Sequence, residues 1–238
     1  MGLFNLPEPL FALIDMALAA ALPPALRLII WAAIAGAGTL LLYRLLSPQR
    51  AIAEAKREAR AARQQLQHFD GEFADAAPLI AAQFRTAFRH LGLVLLPSLV
   101  AALPLIALLS WLEVDYSRTL PAADHPPAVR VVPASVLPEW VTESSAPRLR
   151  LHDGATELAD IPITKPVPRV EKRQWWNWLI ANPLGYLPGD SAVERVEIDL
   201  APIAYLPFGP AWMRSWLAIF LPTMIAISLL TWRWARVE

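Results

Sequence analysis

Apolar and polar positions along this chain separate into long blocks before any finer alternation appears. Three stretches carry no charge at all: 28–43, 91–112 and 216–232. The second runs for 22 residues, enough to cross a hydrocarbon layer roughly 30 Å thick. The first extends to Leu46 once Arg44 is allowed to reach water along its own stem. The third gains an interfacial lead-in from Trp212 and Arg214. The pattern predicts three transmembrane helices, over 25–46, 91–113 and 211–232, with a short tail at 233–238.

Between the first two spans the pattern changes. Ile52, Ala55, Ala59, Ala62, Leu66 and Phe69 recur in alternating steps of three and four, the seam of a coiled coil, on an otherwise charged background. Asp70-Gly71 is a turn signal, and 73–90 can return as a second helix running on into the second span. Residues 47–90 therefore read as a helical hairpin. The alternative is a single charged helix with a solvated face.

Between the second and third spans the period shortens to two. Strand-like alternation occupies 129–132, 149–152 and 196–200, and Asp153-Gly154 signals a hairpin turn between 148–152 and 155–161. Residues 114–210 hold 14 of the 23 prolines, too many for a helical domain. They predict a small β-rich domain. The chain is thus expected to be a mainly α membrane protein with three spans, a helical hairpin on one side and a β-rich domain on the other.

Composition adjusts this picture only in places. Charged residues make up 18% of the chain, against about 25% in a soluble domain, and the three spans account for the deficit. The formal charge of zero gives no reason to expect a nucleic-acid partner. With no cysteine there is no disulfide, thiol chemistry or thiolate metal site. Residues 1–24 are apolar but begin without the cations of a signal peptide, so they are expected to persist as a helix lying on the membrane and ended by Pro23 and Pro24.

Charge distribution sets an expected orientation. Eight of the basic residues fall between Arg44 and Arg89, and Arg233 and Arg236 follow the last span, whereas the first 26 residues have none. Basic loops stay inside. The hairpin and the C-terminus are therefore expected in the cytoplasm, and the N-terminus and β-rich domain in the periplasm of a bacterial inner membrane. Trp111, Tyr116, Trp212 and Trp216 then form an outer aromatic belt, and Tyr43, Trp232 and Trp234 an inner one.

Within this frame a few residues stand out. Trp175, Trp176 and Trp178 directly follow Lys172 and Arg173. Tryptophan favours the membrane–water interface and cations favour anionic headgroups, so one reading is a short helix lying on the outer leaflet. The other is that the rings form the core of a domain poor in large side chains. In the first span Ala32 with Gly36, and Ala33 with Ala37, are small residues four apart that let helices approach closely in lipid. Pro97, Pro104 and Pro222 each free a backbone carbonyl, for which Ser98, Ser110, Thr223 and Ser228 are candidate donors. No acidic residue or histidine lies in a span, against the titratable groups a proton-coupled transporter needs. No catalytic constellation, nucleotide loop or metal-ligand spacing is present, so no catalytic residue, cofactor or metal is expected.

The segment LLLYRLLSPQRAIAEAKREARAARQQL, 40–66, passes from an apolar span through an arginine into a charged coiled coil. With the order of spans and, more weakly, AYLPFGPAWMRSW before the third span, it resembles the YidC/Oxa-type insertase superfamily, in particular its three-span branch of archaea and the endoplasmic reticulum. The outer segment is longer than the loop usual in that branch. The resemblance implies that Arg44 is a groove cation attracting polar parts of a client. Ser98, Thr223 and Ser228 would be further contacts in a cytoplasm-open groove. Its partners would be the bilayer and membrane-protein clients. The second reading is a non-catalytic subunit of a larger inner-membrane complex, docked through the small-residue face of the first span and the outer domain. An enzyme acting on envelope lipid or glycan ranks last, for want of residues to carry the chemistry.

Overall fold

A computed structural model describes residues 2–71, 73–122, 125–142 and 147–235, the side chains of 73–75 excepted. Among the described residues six α-helices and six strands follow one another: α1 (Glu8–Ala19), α2 (Pro24–Leu46), α3 (Gln49–Gln67), α4 (Phe73–Tyr116), β1 (Val129–Val132), β2 (Leu137–Thr142), β3 (Pro147–Asp153), β4 (Thr156–Pro162), β5 (Arg169–Glu171), β6 (Arg195–Ile198), α5 (Ala211–Arg214) and α6 (Leu217–Ala235). By contacts the chain divides into two units. One comprises Met1–Leu28 with Ile106–Phe220, the other Ile29–Leu105 with Leu221–Glu238.

Three helices are long and apolar enough to cross a membrane: Pro24–Leu46, the stretch Ala76–Tyr116 of α4, and Leu217–Ala235. Local chemistry explains their ends. Pro24 takes the first helical position of α2, where a missing N–H costs nothing. At the other end Ser47 is followed by Pro48, which disfavours a continued helix. The Ser47 backbone N–H and hydroxyl both donate to the carbonyl of Tyr43, at 2.9 and 2.6 Å, closing the last turn. Helix α4 is 44 residues long. At 1.5 Å per residue it measures about 66 Å, about twice the hydrocarbon thickness, so the second span and the returning arm of the hairpin are one continuous helix.

In the unit that contains α3, the expected seam is the covered face. Ile52, Ala55 and Ala62 are buried and Ala59, Leu66 and Phe69 partly so, while Glu54, Arg57, Arg60 and Arg63 are exposed. Glu58 accepts from Arg89 of α4 at 2.5 Å. That pair is half exposed and contributes about 0–1 kcal/mol, so the covered apolar seam matters more.

The β-rich domain contains two three-stranded antiparallel sheets, ordered β1-β6-β5 and β2-β3-β4. Alternation places Leu149 and Leu151 of β3, Ile161 of β4, and Val196 and Ile198 of β6 in one buried cluster, with Val170 and Leu200 among its other members. The β3–β4 hairpin pairs Asp153 with Thr156. Gly154 supplies the left-handed backbone the turn demands, at φ +59°. On the polar face of this hairpin Arg148 grips Asp160 with Nε donating to Oδ1 at 3.0 Å and Oδ2 at 3.1 Å and Nη2 to Oδ2 at 2.7 Å. That guanidinium holds the Asp160 carboxyl below its ordinary pKa.

Candidate functional site

Arg44 lies in the last turn of α2, exposed, with no hydrogen bond or ion pair to a described residue. Ser98 is half-buried and its hydroxyl donates to the carbonyl of Val94 at 2.8 Å. Ser110 donates in the same way to Ile106 at 2.9 Å. Both serines therefore satisfy carbonyls of their own helix one turn back. Neither reaches the carbonyls of Leu93 and Val100, which Pro97 and Pro104 leave without their usual N–H partners. Thr223 and Ser228 are half-buried on α6. None of these residues lines the cavity near Asp15 or the clefts on the β-rich domain described below.

The small-residue face of α2 is filled from within the chain. Ala32 is fully buried and Gly36 is buried, whereas Ala33 and Ala37 are half-covered. A Cβ on Gly36 would stand 2.7 Å from the Met224 carbonyl oxygen and 3.0 Å from Ser228 Oγ, both on α6. Glycine at 36 thus allows the α2 and α6 backbones their approach, the close packing expected of small residues in lipid.

The tryptophan stretch forms a single 3-10 turn, Trp175–Trp178, with all three rings outside. Trp175 is 81% exposed, Trp176 44% and Trp178 53%, so the domain core is built without them. The turn's one buried residue is Asn177. Its side chain accepts from the Gln174 backbone N–H, and the Gln174 side chain caps the Asn177 N–H in return. A polar residue pins the turn from inside and the aromatic rings are presented outward. Lys172 is half-buried and Arg173 exposed beside them.

A feature that no local pattern announces joins this turn to the N-terminus. Phe4 N–H donates to the Leu179 carbonyl at 2.9 Å, and Ala181 N–H donates to Asn5 Oδ1 at 2.8 Å. Gly2 is packed so closely that a Cβ there would lie 2.5 Å from Ala181 N. The result is one apolar margin shared by the two segments. Leu3, Leu6, Leu10, Leu13 and Met16 are exposed on the N-terminal side, and the three tryptophans with Ile180 on the other. Helix α1 is turned apolar-side out. Its inner positions carry Phe11, against Trp111 at 5.7 Å between ring centres, and Asp15. Such a helix is costly in water and favourable at a lipid surface. Replacing Trp175 and Trp178 together by alanine should leave the melting temperature within about 2 °C, because exposed rings contribute little to folding. Quenching of tryptophan fluorescence by brominated lipids should fall in the same variant. A large drop in melting temperature would return the rings to a core role.

Asp15 also anchors a polar cluster. It accepts from Arg27 in the first turns of α2 and from the Tyr116 hydroxyl at the end of α4. The Arg27 guanidinium lies over the Tyr116 ring, 5.4 Å from its centre. Tyr205 donates to the Tyr116 carbonyl at 3.0 Å. Burial pushes the Tyr205 phenol up to about 12. Arg27 and Asp15 retain only 16% and 13% of their side-chain exposure. Next to them Asp115 Oδ1 accepts from Lys165 at 2.5 Å, with Glu8 Oε1 3.9 Å from the same ammonium. Asp15, Arg27, Asp115, Tyr116 and Tyr205 border a cavity of about 540 Å³. Two further clefts lie on the β-rich domain, one beside Arg130, Arg169 and Glu197, the other beneath Trp176 and Tyr186.

In sequence Arg27 stands at the edge of the first span, where a cation can reach water along its own stem, yet the structure turns it to Asp15. The signal was available: an acid in the middle of an otherwise apolar helix has to be met by a donor. No group of three or more acidic or histidine side chains among the described residues is arranged to hold a metal ion. Comparison with family models, with curated proteins and with solved structures finds no match to this chain.

Proposed function

We propose that the chain is an insertase-like factor of a bacterial inner membrane, helping polar or acidic segments of client proteins into the bilayer without nucleotide or metal. The observation that carries the reading is Arg44: an exposed guanidinium, with no ion pair to a described residue, closing an apolar helix just before α3. In this reading the hairpin is a cytoplasmic coiled-coil arm that receives clients, and the β-rich domain lies in the periplasm. Each unsatisfied backbone group carried into hydrocarbon costs several kcal/mol. A cation held at the cytoplasmic edge, beside spans that leave most of their surface uncovered, offers a polar segment a partner at the start of that passage. No proton, electron or phosphoryl group has to move.

Arg44→Ala should slow insertion of an acidic reporter client about fivefold, corresponding to roughly 1 kcal/mol of lost attraction, while Arg44→Lys should retain most of the rate. Unchanged insertion in the alanine variant would remove the proposal. Labelling near Glu58 and near Glu157 should find the two in opposite compartments.

One observation supports the second reading, a subunit of a larger complex. Only 6% of the apolar window of α6 is buried, so this helix has surface to offer a partner. The dock would not be the Gly36 face, since α6 itself occupies it. A stable heteromeric complex in mild detergent, with normal client insertion by Arg44→Ala, would favour this reading over the first.

A further inference from the structure

The apolar margin shared by the N-terminal segment and the tryptophan turn lies wholly within one unit. Its level is set by α4. Phe11 of α1 packs on Trp111, and Asp15 is bonded to Tyr116, both in the last two turns of a helix apolar enough to cross a membrane. Helix α1 is therefore held where that helix ends. The Phe4–Leu179 and Asn5–Ala181 hydrogen bonds keep the tryptophan turn beside the start of α1. Leu10, Leu13 and Met16 are exposed on one face of α1, and Trp175, Trp178 and Ile180 on the other segment. Exposed apolar surface of this extent marks a contact that the chain itself does not supply.

The charges along the margin are one-sided. The two acids of the N-terminal segment are used internally: Asp15 accepts from Arg27, and Glu8 lies 3.9 Å from the Lys165 ammonium. Glu171, just before the turn, lies 3.6 Å from Arg169. Lys172 and Arg173 lead into the rings, and neither side chain has a hydrogen bond or ion pair to a described residue. Their backbone is fixed, since Lys172 N–H donates to the Glu194 carbonyl at 3.3 Å. Two uncommitted cations thus stand at the edge of the exposed rings.

We propose that this margin binds the surface of an anionic bilayer, with the tryptophan rings and the α1 leucines in the acyl boundary and Lys172 and Arg173 on acidic headgroups. The apolar face alone accounts for contact with lipid of any kind, and the uncommitted cations choose among headgroups. Each basic residue near an anionic surface adds attraction that a zwitterionic surface does not offer. The β-rich domain is thereby held against the leaflet. The proposal does not depend on the insertase reading. It requires only that α4 cross a bilayer.

The test uses the full chain in nanodiscs of phosphatidylcholine mixed with phosphatidylglycerol, with one or the other lipid brominated. The chain has no cysteine, so Ile180→Cys carries a single fluorophore beside the rings, and Leu13→Cys carries the same fluorophore farther along α1. Both probes should be quenched by brominated lipid. At Ile180 brominated phosphatidylglycerol should quench as though enriched about fivefold over its share of the bilayer, the attraction of one basic residue near the surface. At Leu13 the preference should be weaker. Lys172→Gln with Arg173→Gln should bring the preference at Ile180 down to the bilayer average without changing the melting temperature. Raised salt should do the same with both cations in place, because exposed charges are screened. Absence of quenching at Ile180 by either lipid, as beneath a protein partner, would overturn the proposal. So would equal quenching by the two lipids, a preference as large at Leu13, or a preference that survives the loss of both cations.

Discussion

Replacing Gly36 by leucine should lower the stability of the chain by about 1–3 kcal/mol or more, the usual cost of forcing extra atoms into a packed interior. At this position the obstacle is backbone. The first added carbon would come within 2.7 Å of the Met224 carbonyl oxygen, and Ser228 N stands at 3.3 Å from the same point. A flexible side chain could swing away, but a helical carbonyl moves only if α6 moves with it. The expected result is a lower melting temperature in detergent and easier proteolysis of α6. Gly38 is the control. It lies two residues further along the same helix, and a Cβ there would meet nothing within 4 Å. Gly38→Leu should leave the melting temperature unchanged or slightly raised, since glycine is the poorer helix former. Equal effects at the two positions would mean that α2 and α6 do not pack through residue 36.

Asp15→Ala should be as damaging, by about 3–5 kcal/mol, because it strands a cation that is itself mostly covered. Arg27 and Asp15 retain only 16% and 13% of their side-chain exposure. The substitution also removes the acceptor of the Tyr116 hydroxyl. Helix α1 would keep its apolar outer face but lose the charged tie that joins it to α2 and α4. Limited proteolysis should then release the N-terminal segment, and the melting temperature should fall. Replacing both partners, Asp15→Leu with Arg27→Met, should recover much of the loss, because a matched apolar pair leaves no stranded charge. Asp160→Ala offers the surface comparison. Arg148 and Asp160 are likewise a hydrogen-bonded ion pair, yet a more exposed one, at 33% and 25% of their side-chain surface. Its loss should cost far less than that of Asp15. If the two losses prove similar, the Asp15 cluster is not the buried tie described here.

How much of this was legible in advance differs from element to element. The seam positions from Ile52 to Leu66 were readable because a helix repeats locally, whereas Phe69 falls beyond the end of α3. Once one face is apolar, the same residues are covered whatever arrives to cover them. Asp153-Gly154 marked its hairpin for a similar reason, since only a few residues accept the left-handed backbone of a tight turn. The spans followed from length and hydropathy alone. The partners of each face were not written in any local period. The small residues of α2 indicated that a backbone would come close, but not that it would be that of α6, nearly two hundred residues away. The tryptophans allowed two readings, because a large ring suits a core and an interface equally well, and Asn177 turning inward with the rings exposed removed the core reading.

By itself, then, the order of residues did not mark β2 or β5, but it determined the long helices, the strands β1, β3, β4 and β6, and which of their faces shun water. Those properties are summed over neighbours a few residues apart. Tertiary structure alone decided that Asp15 faces Arg27 and Tyr116, that the N-terminal segment is tied to residues 179–181, and that Gly36 meets α6. Each of these joins residues from separate elements. Such meetings depend on which pairing buries the most apolar surface while leaving the fewest charges unpaired, a balance struck over the whole folding unit and not along a stretch of chain.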